Sequence, residues 1–167
     1  MVMEAFNPGG ILATIPLFGE TLDARQLAHL AAQCHLVIYP PRAVVLAEGD
    51  FGDAMYAIVN GQVTVSLLDK RGGEHGVATL GVGEIIGEMS LLTGMRRSAT
   101  AVARNEVTAL EITKVTFEEM FRQAPELIDK FSSVLARRQS ELDRIAAGAD
   151  ASADAIGARI RRFFLRR

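Results

Sequence analysis

The apolar positions along the chain change period twice. Between Thr21 and Cys34, the residues Leu27, Leu30, Ala31 and Cys34 recur at helical spacing, and Thr21 stands where an N-cap belongs. Tyr39-Pro40-Pro41 is expected to stop that helix. From Val44 to about Thr113 the pattern shifts to short runs broken by turn residues, the signature of strands. Tyr56 and Ile58, then Val63, Val65 and Leu67, alternate on either side of Asn60-Gly61. That dipeptide predicts a hairpin, because both central residues of a type I′ turn take positive φ. Lys70-Arg71-Gly72-Gly73 predicts a second turn, and Val77–Leu80 and Val107–Ile112 predict further strands. Beyond them the helical period returns. Thr116 and Glu119 have capping-box spacing ahead of Met120 and Phe121, and Pro125 is expected to open a longer helix running to Ala147. Its apolar stripe is Leu127, Phe131, Val134, Leu142 and Ile145, and the place the stripe skips is taken by Arg138.

This order, a helix, then strands, then helices, predicts an α+β fold that is mainly β: a β-roll or jelly-roll barrel flanked by an N-terminal helix and C-terminal helices. We divide the chain into an N-terminal extension (1–11), the folded domain (12–147) and a tail (148–167). No internal repeat of solenoid length is visible.

Composition narrows the picture. The chain has 167 residues and 49% of them are apolar, which suits one domain with a substantial core. A single cysteine, Cys34, excludes an internal disulfide framework. No apolar run reaches membrane-spanning length, and the first ten residues do not read as a signal peptide, so a cytoplasmic protein, or the cytosolic domain of an inner-membrane protein, is expected. The net charge is −2, but residues 151–167 carry five arginines against Asp154, a net +4, which leaves −6 on the rest. An acidic body argues against a nucleic-acid-binding surface. In the tail Ile156, Ile160, Phe163 and Phe164 fall on one helical face, which suits either a frayed end or a basic amphipathic helix touching anionic lipid or a partner.

The segment richest in chemistry runs from Gly87 to Thr100: Gly-Glu-Met-Ser-Leu-Leu-Thr-Gly-Met-Arg-Arg-Ser-Ala-Thr. Within one loop it offers a carboxylate (Glu88), a guanidinium (Arg97), a hydroxyl (Ser98) and the N–H groups of a short helical turn. A phosphate calls for an arginine fork, a hydroxyl and N–H donors; sugar hydroxyls call for a carboxylate acceptor.

This segment resembles the phosphate-binding cassette of the cyclic-nucleotide-binding domain family. The resemblance extends over roughly residues 12–145 and includes Pro16-Leu17-Phe18, Glu48-Gly49-Asp50 before Met55-Tyr56, Gly61, and the closing helix. It implies that Glu88 would accept from the ribose 2′-hydroxyl, with Gly87 letting the backbone approach, and that Arg97 would pair with the cyclic phosphate. Ser98 would add its hydroxyl and N–H, and Ala99 an N–H. Val65 and Leu80 would line the base and sugar, and Met89 completes the set beside Glu88. The family carries proline directly before the arginine. Here that place is Arg96, which leaves the loop less rigid and sets a second guanidinium in competition with the first.

Arg138 is expected either to reach the nucleotide from the closing helix or to remain solvated, and the same stripe is alternatively a dimer seam that would make a homo-oligomer. Glu88 and Arg97 alone would be read as a structural ion pair. Gly81, Gly83 and Gly87 lack dinucleotide-loop spacing, and His29, His35 and His75 lack metal-ligand spacing. Cys34 is placed in the core. With no nucleophile–base arrangement, no cofactor and no catalysis are expected. The run Glu88–Gly94, the residues Leu-Ala-Arg-Arg-Gln of 135–139 and the Arg-Ile-Arg-Arg-Phe-Phe near the C-terminus are similar to the C-terminal domains of bacterial cyclic-nucleotide-gated channels built on the small mechanosensitive channel fold. That similarity implies an attached membrane channel as partner. The other resemblances kept open are the sensor part of a catabolite-activator-type transcription regulator, for whose DNA-binding domain too few residues follow Ile145, and an adaptor that binds no nucleotide. The expected ligand is cyclic AMP, with cyclic GMP second, because many members preferring cyclic GMP carry threonine where Ser98 stands.

Overall fold

The computed structural model describes residues 7–68 and 74–143, with side chains described for 7–66 and 78–137. Three short helices come first: α1 (Pro8–Thr14), α2 (Pro16–Gly19) and α3 (Ala24–Gln33). Each start has a local cause. Asn7 caps α1 by accepting from the Gly10 N–H at 3.1 Å, and Pro8 and Pro16 supply a preset φ in the first turns of α1 and α2. α3 is capped by Asp23, not by the expected Thr21. Asp23 accepts from the Gln26 N–H at 2.8 Å while the Gln26 side chain accepts from the Asp23 N–H at 2.9 Å, a reciprocal capping box. Thr21 is buried instead, and its hydroxyl donates to the Leu17 carbonyl. The expected boundary at residue 12 falls inside α1, whose Leu12 is fully buried.

Strand β1 (His35–Tyr39) follows α3 at once, so the helix ends at Gln33 well before the two prolines. Then come β2 (Val44–Leu46), β3 (Ala54–Asn60), β4 (Val63–Leu68), β5 (Glu74–Leu80), β6 (Ile85–Ile86), helix α4 (Glu88–Thr93), β7 (Thr100–Ala103) and β8 (Val107–Thr113). They form two antiparallel four-stranded sheets, ordered β1-β8-β3-β6 and β2-β7-β4-β5. The α+β, mainly β architecture expected from the sequence is what the chain adopts. The Asn60-Gly61 hairpin is not formed. β3 belongs to the first sheet and β4 to the second, so the dipeptide carries the chain across the barrel. Of the two residues only Gly61 takes a positive φ (89°), and a side chain there would strike the Glu106 carbonyl at 2.3 Å. A different hairpin joins β4 to β5, with Leu68 opposite Glu74; its turn lies outside the described residues.

The centre of the first sheet, β3 and β8, is buried on both faces. Alternation along β3 and β8 sends Met55, Ala57, Leu110 and Ile112 into one core, and Ala54, Tyr56, Ile58, Val107 and Ala109 into another between the sheets. The first core is completed by the N-terminal helices and by α5 (Lys114–Gln123) and α6 (Leu127–Asp143). α5 starts two residues ahead of Thr116. That residue is buried inside the helix, its hydroxyl 3.3 Å from that of Thr113, and no side chain caps the start, so the expected Thr116–Glu119 box is absent. α6 starts at Leu127, two residues after Pro125, and its expected end near Ala147 lies outside the described residues. Its buried face is wider than the stripe read from sequence: Ile128, Ser132 and Leu135 join Leu127, Phe131 and Val134.

Four phenylalanines lock this core. Phe131 sits edge-on to Phe18 (6.3 Å between centroids), Phe117 (6.0 Å) and Phe121 (5.4 Å), tying α6 to α2 and α5. Phe131→Ala is expected to cost about 3–5 kcal/mol of folding stability, read as a lower midpoint in urea denaturation with an unchanged slope.

Candidate ligand-binding site

The site is assembled where α4 and the segment leading into β7 meet the loop between β2 and β3. Gly87 opens α4 in the left-handed region (φ 83°), Gly94 closes it in the same region (φ 73°), and no side chain caps the start. The following turn is held internally: the Ser90 hydroxyl donates to the Met95 carbonyl at 2.8 Å, and the Gly94 N–H donates to the Ser90 carbonyl at 3.1 Å.

Arg97 is the centre of the arrangement. Only 7% of it is exposed, and its guanidinium donates to the Gly87 carbonyl through Nη1 (2.8 Å) and to the Ala54 carbonyl through Nη2 (2.7 Å). Burial lowers its pKa, but the Tyr56 hydroxyl and the carboxylates of Asp53, Glu88 and Asp50 act electrostatically in the opposite sense. An arginine stays cationic in such a place, and two of its five N–H donors go to carbonyls. Two glycines make room for it. A Cβ on Gly52 would lie 2.0 Å from Arg97 Cζ, and one on Gly87 would lie 2.5 Å from Nη1. Gly87 therefore makes room for the guanidinium.

Glu88 is the first residue of α4, is 5% exposed, and places its charge where the helix favours an anion. Ser98 is exposed and Ala99 half-buried just before β7, whose Thr100 and Ala101 lie opposite Ser66 and Val65 of β4. Val65 and Leu80 sit on the adjacent strands β4 and β5, half-buried against the barrel core. The structure thus gathers Gly87, Glu88, Arg97, Ser98 and Ala99, with Val65 on the strand beside β7 and Leu80 one strand further. Met89 packs its side chain against the helical core. Arg138 belongs to α6, and its side chain lies outside the described residues. Arg96 does not crowd Arg97: it is exposed, donates to the Gly49 carbonyl at 3.1 Å and lies over the Phe51 ring. Sequence reasoning missed Gly52, Asp53 and the Ala54 carbonyl. The Gly-Asp-Phe-Gly-Asp run of 49–53 signals a loop there, but not the arginine it packs against.

Other candidate groups fall outside this site. Burial pushes the Cys34 thiol up to about 12, and it donates to the Leu30 carbonyl at 3.2 Å; it packs half-buried against the helical core, at its edge and not inside it as expected. Burial and a hydrogen bond with Tyr39 raise the pKa of Tyr56 well above the ordinary phenol value. Among the described residues no His, Cys, Asp and Glu group has the disposition of a metal site, and no helix is long and apolar enough to cross a membrane.

Residues 36–124 match the cyclic nucleotide-binding domain family, and the chain belongs to it. It is 34% identical over 129 residues to a cyclic nucleotide-gated potassium channel of Rhizobium etli, covering 77% of this chain and 34% of the channel. It is 35% identical over 106 residues to the cyclic AMP receptor protein of Thermus thermophilus, covering 64% of this chain and 49% of that one. The chain therefore spans about a third to a half of these two relatives. Among solved structures, the N-terminal domain of a transcriptional regulator from Streptomyces coelicolor matches with a TM-score of 0.67 and 31% identity, covering 84% of this chain and 98% of that one.

The geometry around Arg97 makes a testable demand on Gly52. Gly52→Ala is expected to destabilise the protein by about 1–3 kcal/mol, and by much less in an Arg97→Ala background, because the overlap it creates is with the guanidinium itself. Equal costs in both backgrounds, measured by chemical denaturation, would contradict the contact.

Proposed function

We propose that this chain binds a cyclic nucleoside monophosphate, cyclic AMP in preference to cyclic GMP, and converts binding into movement of α6. The observation that carries the reading is the buried Arg97 cation set close to Glu88 at the start of α4. A buried cation gains from an anion in a place with little water, and a carboxylate beside it supplies the acceptor that ribose hydroxyls need. In this reading Arg97 pairs with the cyclic phosphate, helped by Ser98 and the Ala99 N–H, and Glu88 accepts from the 2′-hydroxyl. Gly87 and Met89 contribute main chain. Val65 and Leu80 face the base and sugar, and Ser98 in place of threonine favours cyclic AMP.

The attached effector in the first reading is a membrane channel, supported by the likeness to the Rhizobium etli protein. The second reading, a sensor for a transcription regulator, is supported by the Streptomyces coelicolor domain, nearly all of which the chain covers. In either, α6 is the output. Its first half is fixed by Leu127, Ile128, Phe131 and Leu135 in the core. Near its described end, Arg137 pairs with Glu20 across an exposed surface, a contact that contributes little and yields easily. Arg138 is one residue further on and closes over the nucleotide in this mechanism. Ligand binding shifts the helix only as far as its contacts differ between the open and closed states.

Isothermal titration with cyclic AMP is expected to give one site per chain; no heat and no thermal shift with either cyclic nucleotide sinks the reading. Arg97→Ala is expected to weaken binding at least a hundredfold, since breaking a buried charge pair costs roughly 3–5 kcal/mol, and Arg96→Ala by clearly less. Hydrogen exchange at residues 127–143 is expected to slow on adding cyclic AMP, most of all beyond Arg137. Equal exchange in both states would remove α6 from the mechanism.

A further inference from the structure

We propose that Arg96 and Phe51 form a clasp that holds the loop between β2 and β3 on the cassette and slows the escape of bound nucleotide. The inference rests on the nucleotide-binding reading above and makes Arg96 a positioning residue.

Arg96 and Arg97 are neighbours with opposite placements: one guanidinium is exposed, the other buried. What links them is the loop. The Gly49 N–H donates to the Arg97 carbonyl at 2.8 Å, and the Arg97 N–H donates to the Asp50 carbonyl at 2.7 Å, two ladder-like bonds outside either sheet. Arg96 then closes on the same stretch from outside. Its Nη1 donates to the Gly49 carbonyl at 3.1 Å, and its Cζ stands 4.6 Å from the Phe51 ring centroid. Gly49, in the left-handed region at φ 87°, is thus held at both its N–H and its carbonyl by consecutive arginines.

Phe51 has little to do with the core. It is 71% exposed, more than the other large apolar residues seen at the surface, and the Arg96 cation lies over its ring. The loop it anchors is also the wall behind Arg97. Gly52 lies against the guanidinium, and Ala54 supplies the carbonyl that orients Nη2. Loosening the outside of the loop therefore loosens the support of the group proposed to grip the phosphate, without touching that group. An exposed cation–π contact corresponds to about a two- to fivefold effect, and the accompanying hydrogen bond raises the expectation to about three- to tenfold.

Two measurements test the clasp. In stopped-flow displacement of a fluorescent cyclic AMP analogue, Arg96→Ala, which loses both contacts, should speed dissociation about three- to tenfold, and Phe51→Ala, which loses only the ring, about two- to fivefold. The double variant should be no faster than the faster single, and Phe51→Tyr should keep the original rate. Unchanged or multiplying rates in variants that still bind overturn the clasp. The second measurement needs no ligand: the amides of Gly49 and Arg97 should exchange faster in Arg96→Ala than in the parent protein. Equal protection overturns the clasp even if the parent proves not to bind nucleotide, a result that by itself would refute only the binding reading.

Discussion

A guanidinium almost wholly withdrawn from water organises this molecule. Burying Arg97 is unfavourable unless acceptors and opposite charge are arranged around it, and that arrangement dictates much of the surrounding chain. The Gly87 and Ala54 carbonyls take two of its donors. Gly52 and Gly87 are glycines because a Cβ at either would overlap the group. Asp50, Asp53 and Glu88 offset the charge at longer range, and the N–H and C=O of Arg97 itself tie the β2–β3 loop to the cassette.

Arg97 is also joined closely to the helical core. Its acceptor Ala54 starts β3, and the next residue, Met55, points to the other face of the sheet and lies fully buried in the cluster that contains Phe131. One peptide unit separates the anion-seeking group from the packing that fixes α6. β3 and β8, buried on both faces, thus give the two cores a common wall, and a displacement of β3 is felt on both sides.

The parts of this structure that could be read from the sequence are those written locally. Gly87 to Ala99 is one contiguous stretch, so the residues now found around Arg97 on that side were identifiable together. The Ala54 carbonyl and Gly52 were not, because their role depends on a contact between positions more than forty residues apart. Asn60-Gly61 misled for a related reason: a turn dipeptide fixes a local bend and says nothing about whether the flanking strands pair. β1 was hidden by its own surface. Leu36 (52% exposed) and Ile38 (63%) are apolar on the outward side, so Leu-Val-Ile-Tyr lacks the polar alternation of a half-exposed strand. The helix cap was misplaced by two residues because Thr21 and Asp23 are both good caps, and only the position of Gln26 relative to Asp23 decides between them.

The crossing of the chain at Gly61 governs how the barrel comes together in time. Because β3 and β4 do not pair, β3 must find β8, and β8 must also find β1, with Val107 meeting Tyr39 across most of the intervening sequence. The β4–β5 pairing is the local event available early. The remaining closures carry the loop entropy of long separations, which places assembly among the slower single-domain topologies, on the order of milliseconds to seconds. During that interval β1, with Leu36 and Ile38 outward, is an unpaired apolar edge. The nascent chain is most exposed to mispairing at the strand farthest from its partner in sequence.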